Sequence, residues 1–173
     1  MNAADIRTKY LEFFKSKGHT VIPRANIVPQ EDPTTLFTGS GMQPLIPYLL
    51  GEEHSAGTQL TNSQTVLRAE DIDEIGDNRH TTFFEMLGNW SLGEYVKEEQ
   101  LTWFWEFLTE VVGLDPTKLY VSCFIGAPEF GVPKDTEAAA IWTKLFGSVG
   151  IIATEAEFGS EEDGYNRGMK EGE

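Results

Sequence analysis

The sequence predicts an α+β fold, a mainly antiparallel sheet flanked by helices. Three observations carry that expectation. Two runs rich in β-branched and aromatic residues, 65–67 and 81–87, read as antiparallel strands joined by a long polar loop. A segment at 4–17 repeats apolar residues at helical spacing ahead of them. A second helical segment, 94–112, follows them.

In chain order, the first helix presents Ile6, Tyr10, Phe13 and Phe14 on one face. Asn2 or Asp5 can serve its N-terminus, and Gly18 stops it. His19, just past the stop, reads as a cap or surface group rather than a ligand. Runs 20–22 and 27–28 read as short edge or interface strands, interrupted by Pro23 and ended by Pro29, because proline has no backbone donor. Residues 36–38 read as a strand leading into Gly39-Ser40-Gly41, which permits a sharp turn or a close backbone approach. Residues 44–50 form an apolar helical or turn segment, and 52–57 a polar loop.

In the helix at 94–112, Leu101, Phe104, Trp105, Leu108 and Val112 recur at three- and four-residue steps. Trp103 lies off that stripe, and Gly113 is placed to end the helix. It is a packing element without chemistry. Residues 119–124 read as a strand, and 126–134 as a loop. Asp135 caps a helix over 136–146, and 150–153 reads as a short strand. Cys123, the one cysteine, has no base near it in sequence and reads as buried and inert.

The chemistry concentrates at 68–97. Arg68 ends the first strand of the pair, an acidic loop spans 70–78, and Arg79-His80 enters the second. A guanidinium is a planar fork matched to phosphate oxygens. An aromatic on a sheet, Phe83 or Phe84, offers a face on which a purine can stack. Alternation puts these two rings on opposite faces. Two readings stand side by side: a nucleotide platform of two arginines and a ring, or arginines paired with the acidic loop above core phenylalanines.

The stretch RHTTFFEMLGNWSLGEY resembles the second signature motif of the class II aminoacyl-tRNA synthetases, and FFEMLGNWS is similar to the alanyl-tRNA synthetase family in particular. DPTTLFTGSGM at 32–42 resembles that family's DPTLLFTNAGM segment. IRTKYLEFFKSKGHTVIPRANIVP resembles its first helix and strand. The close resemblance spans about 5 to 112.

The resemblance implies a class II catalytic fold, incomplete, over 1–154, with an acidic glycine-rich end at 155–173. It implies an ATP-dependent ligase joining alanine to its tRNA. Arg68 would be the catalytic residue, holding the α-phosphate and the carboxylate. Arg79 with His80 would hold the outer phosphates. Phe84 would stack under adenine, with Glu85 and Met86 bordering it through backbone contacts. Met42 would sit beside the amino-acid pocket. On the residues alone, Met42 equally fits a gap-filling core methionine, and Glu85 a salt-bridged or strand-end acid. Asn89 and Trp90 read as turn and packing groups. The implied ligands are ATP, alanine and the alanine tRNA, with Mg²⁺ held largely by ATP oxygens. No cysteine–histidine cluster supports zinc. Residues 5–29 are a candidate homodimer contact.

Two departures matter. The family's second motif carries a longer loop with a GGKHND-like run, where AEDIDEIGDN stands here. Nothing resembles the third motif, the editing domain or the C-terminal region, so the chain reads as an N-terminal part of such an enzyme, inactive alone. A non-catalytic paralogue serving as a binding or assembly module is the alternative.

Composition bounds these readings. Twenty-eight acids against thirteen bases give −15, which argues against strong non-specific binding to nucleic acid but not against a local basic strip. With 40% hydrophobic residues, 173 residues suffice for a real core. No membrane-length apolar run or basic leader is present, and a single cysteine fits a reducing compartment. The expected location is the cytoplasm.

Overall fold

A computed structural model describes residues 1–30, 34–77 and 80–152. The chain divides into two compact units, Met1–Val96 and the part from Lys97 onward.

In the first unit, helix α1 runs Ala3–Ser16. Its start is closed reciprocally: the Asn2 side chain accepts from the Asp5 amide at 2.9 Å, and the Asp5 carboxylate accepts from the Asn2 amide at 3.0 Å. Its end turns through Gly18 at φ 97°, and the amides of Gly18 and His19 donate to the carbonyls of Lys15 and Phe14. Only glycine takes that left-handed turn without strain, so the expected stop is a paired one. Tyr10, Phe13 and Phe14 are buried.

The sheet is small and mixed. Strand β1 (Thr20–Val21) pairs parallel with β2 (Gln59–Leu67), and β2 pairs antiparallel with β3 (Phe83–Ser91). The order is β1-β2-β3. The expected antiparallel pair is present, and a short parallel pairing beside it makes the sheet mixed rather than clearly mainly antiparallel among the described residues. The reason lies in β1, which leaves α1 through a tight turn and comes to lie beside β2 in the same direction.

β1 is short because Pro23 ends its ladder after Ile22 donates to the Thr61 carbonyl. Side chains take over. The Gln64 amide accepts from the Ala25 N–H at 2.7 Å and donates to the Ala25 carbonyl at 3.0 Å. Further along, the Thr38 carbonyl accepts from the Leu67 amide, and the Thr38 amide donates to Ile27. Residues 27–28 and 36–38 are therefore not strands but single hydrogen-bonded contacts along the edge of β2 and its neighbours. β3 also exceeds expectation: it runs through Gly88-Asn89-Trp90 to Ser91 rather than ending at Gly88.

Register fixes the two faces. Paired residues Gln64 and Met86, and Val66 and Phe84, share one face; Ser63 and Leu87, and Thr65 and Glu85, share the other. α1 covers the second face, where the Tyr10 hydroxyl donates to Asn89 Oδ1 at 3.0 Å. Thr61, Asn62, Ser63 and Gln64 are all buried, and each has a hydrogen-bond partner. His19 is buried rather than on the surface: Nδ1 meets the Phe14 carbonyl at 3.1 Å and Nε2 the Tyr95 hydroxyl at 2.8 Å.

In the second unit, α2 spans Lys97–Glu106 and passes into a π-helical turn, Phe107–Val111. Trp105 of the expected stripe and Phe107 are buried, while Phe104 of that stripe is exposed. α3 spans Thr136–Ser148, and the Asp135 side chain caps it by accepting from the Ala138 amide at 3.1 Å. Trp105, Trp142 and Phe146 form the core, with Cys123 half-buried against it. Residues 119–124 and 150–152 join no ladder among the described residues, contrary to expectation; Ala153 lies outside them. Residues 155–173, the expected acidic end, also lie outside them.

Candidate functional site

β2 delivers Arg68 at its end. The Arg68 amide donates to the Thr82 carbonyl at 2.8 Å, and Nε donates to the Gly39 carbonyl at 3.1 Å. These two contacts hold the base and the middle of the side chain. Its Cζ lies 5.9 Å from the centroid of the Phe84 ring, at the outer range of a cation–π contact. The guanidinium and the ring thus adjoin on one face of the sheet. Phe83 is exposed on the opposite one.

The same face continues along β3. Met86 Sδ accepts from the Gly41 amide at 3.3 Å. The Trp90 indole lies over Gly88, where a Cβ would come within 2.5 Å of the ring, and Nε1 donates to Asn62 Oδ1 at 3.3 Å. Gly41 packs against the same indole, where a Cβ would stand 3.2 Å away. Close backbone approach is therefore the use of this glycine turn.

Gln43 holds the turn in shape. Its side chain accepts from the Gly39 amide at 2.9 Å and donates to Thr35 at 2.7 Å, while its own amide donates to Ser40 at 3.2 Å. Met42 beside it is 50% exposed, which sets aside the buried gap-filling reading.

Two predicted residues stand elsewhere. The Glu85 side chain lies on the α1 face, where it accepts from Arg7 Nε at 2.6 Å, Arg7 Nη2 at 3.0 Å and the Ser63 hydroxyl at 3.1 Å. Arg24 stands 3.6 Å away. The Arg7 hydrogen bonds, first among these, hold its carboxyl below the usual range. Only the backbone of Glu85 borders the Phe84–Met86 face.

His80 is engaged by the acidic loop, whose first part is a short 3₁₀ helix, Ala69–Glu74. Nδ1 and the amide of His80 meet Asp77 at 2.7 Å each, and Nε2 meets Glu74 at 2.9 Å. The Asp77 hydrogen bond leads in raising its pKa above the ordinary histidine value. Arg79 lies outside the described residues.

The face thus gathers Arg68, Phe84, Met86 and the 39–42 turn. A cation, a π-face, a thioether and backbone groups suit a nucleotide better than a metal. Sequence reasoning singled out the Gly39-Ser40-Gly41 turn and read Trp90 as a packing group, but it missed Gln43 and did not place Trp90 on this face. For Trp90 a signal existed: Gly88 and Trp90, two apart on a strand, share a face. For Gln43 no local signal existed, since its partners lie on an irregular turn.

The family model for class II (A) tRNA synthetases matches residues 5–170. The chain belongs to the class II tRNA synthetases. That match extends well beyond residue 112, where the close motif resemblance stops. Relatives include alanine–tRNA ligases of Treponema pallidum (strain Nichols), 49% identical over 95% of this chain, and Borreliella afzelii (strain PKo), 53% identical over 84%. That of Christiangramia forsetii is 42% identical over 95%. The chain covers 27%, 24% and 19% of these relatives, a quarter of their length or thereabouts. Among the described residues of this synthetase chain, no helix is long and apolar enough to cross a membrane.

Proposed function

We propose that this chain carries the ATP-binding platform of an alanine–tRNA ligase. The supporting observation is the Arg68 guanidinium adjoining the Phe84 ring on one sheet face. In such a ligase the alanine carboxylate attacks the α-phosphate of ATP, pyrophosphate leaves, and the acyl group then passes to the terminal ribose of the alanine tRNA. Charge builds on the α-phosphate during attack, so positioning and electrostatic stabilisation dominate.

Arg68, the catalytic residue of this reading, steadies the α-phosphate and the attacking carboxylate. Phe84 stacks under adenine, while Met86 and the Glu85 backbone border it. Arg79 and His80 serve the outer phosphates, and Met42 edges the alanine pocket. No group of three or more His, Cys, Asp or Glu side chains in ligand geometry occurs among the described residues. In this reading magnesium arrives bound largely to the ATP oxygens and neutralises the phosphates. A second copy would dock through residues 5–29, where Val21 and Val28 are exposed. The setting is the cytoplasm.

One observation favours a second reading, a non-catalytic synthetase-like module: His80 is already held by Asp77 and Glu74. Calorimetric titration with ATP–Mg²⁺ separates the two. The platform predicts saturable binding that Arg68→Ala weakens by roughly ten- to a hundredfold, the loss of a charge-assisted hydrogen-bonding group. Absence of heat from either protein supports the module instead.

A further inference from the structure

We propose that Arg7 and Glu85 are positioning residues for the nucleotide platform, acting from the back of the sheet. The proposal rests on the nucleotide reading of the front. Glu85 stands between Phe84 and Met86 on β3, and its side chain points away from both. A strand residue fixed on one face fixes the backbone that orients its neighbours on the other. Glu85 is fixed by a two-point fork: Arg7 Nε to Oε2 at 2.6 Å and Nη2 to Oε1 at 3.0 Å. Ser63, on the neighbouring strand, adds a third contact at 3.1 Å.

The fork is half-buried, with Arg7 34% and Glu85 29% exposed, and it opens onto a cleft of about 290 Å³ lined by Ala3, Ile6, Arg7, Glu85 and Leu87. Arg7 belongs to α1, which is anchored at both ends by its caps and along its length by Tyr10, Phe13 and Phe14. The contact therefore ties the strand to a rigid element 78 residues away in sequence. Planar guanidinium–carboxylate pairing constrains angle as well as distance, which a lysine cannot do. On the front, the same three-residue stretch carries the ring and the thioether that face Arg68 and Gly41.

The test compares the wild-type chain, Arg7→Ala, Arg7→Lys and Glu85→Gln. Amide hydrogen exchange at residues 84–86 reads the tie directly, and calorimetry with ATP–Mg²⁺ reads its consequence. Exchange in Arg7→Ala rises at 84–86 while the caps of α1 stay protected, and ATP affinity drops on the order of tenfold, the scale of one misaligned contact. Arg7→Lys restores overall thermal stability without restoring affinity. An Arg7→Ala chain with unchanged exchange at 84–86 overturns the proposal. So does one that binds ATP as tightly as wild type while only melting earlier, because that is a purely structural ion pair. If the wild type binds no ATP, the nucleotide reading falls, and exchange at 84–86 still decides whether the tie exists.

Discussion

Gly88→Ala tests how the face is built. The added Cβ would lie 2.5, 2.8 and 2.9 Å from Cζ2, Cε2 and Nε1 of Trp90, where ordinary contacts run about 3.5–4.0 Å. The indole has little room to yield, since Gly41 packs against the same ring. Overpacking of this kind costs about 1–3 kcal/mol. A displaced ring also withdraws the donor from Asn62, a buried acceptor, for a further ~1 kcal/mol. The expected total is about 2–4 kcal/mol. Urea denaturation followed by far-ultraviolet circular dichroism measures it, with an unchanged slope showing that the unfolded state is not the cause. Gly39→Ala is the control, because a Cβ there meets nothing within 4 Å. A Gly88→Ala loss below about 0.5 kcal/mol, the scale of a neutral surface change, would refute the packing argument.

Three other predictions follow from the histidines and the platform. His19 is buried and neutral, and burial lowers its pKa; its stability contribution is present above the unfolded value near 6.5 and is lost as pH falls. The stability difference between wild type and His19→Gln should therefore shrink on going from neutral to acid pH, and a pH-independent difference would count against the buried network. His80 behaves oppositely: its pKa is raised, so the acidic loop grips it at low pH and releases it as pH climbs. Proton NMR titration of the His80 ring should show a pKa above the ordinary value that falls in Asp77→Asn. Arg68→Ala should weaken ATP–Mg²⁺ binding in calorimetry by roughly ten- to a hundredfold while costing only about 1 kcal/mol in urea denaturation, the loss of the Nε bond to the Gly39 carbonyl.

Residues close together in sequence wrote much of this protein. A cap by Asn2 or Asp5, the Gly18 stop and the Asp135 cap depend on neighbours a few positions away and were legible; the antiparallel pair flanking the loop after Arg68 was legible from two strand-like runs, though the reciprocal use of both Asn2 and Asp5 was not. Alternation alone also separated Phe83 from Phe84. Tertiary structure decided the rest, because it turns on partners that no local pattern names. A strand exists only where a second strand accepts its hydrogen bonds, so 36–38 and 119–124, for all their strand composition, join no ladder among the described residues. His19 is buried because Tyr95 arrives from 76 residues away, and Glu85, put on the back of the sheet by alternation, finds its partner Arg7 there across 78. Periodicity can say that a side chain has a face; only the folded chain supplies what stands opposite it.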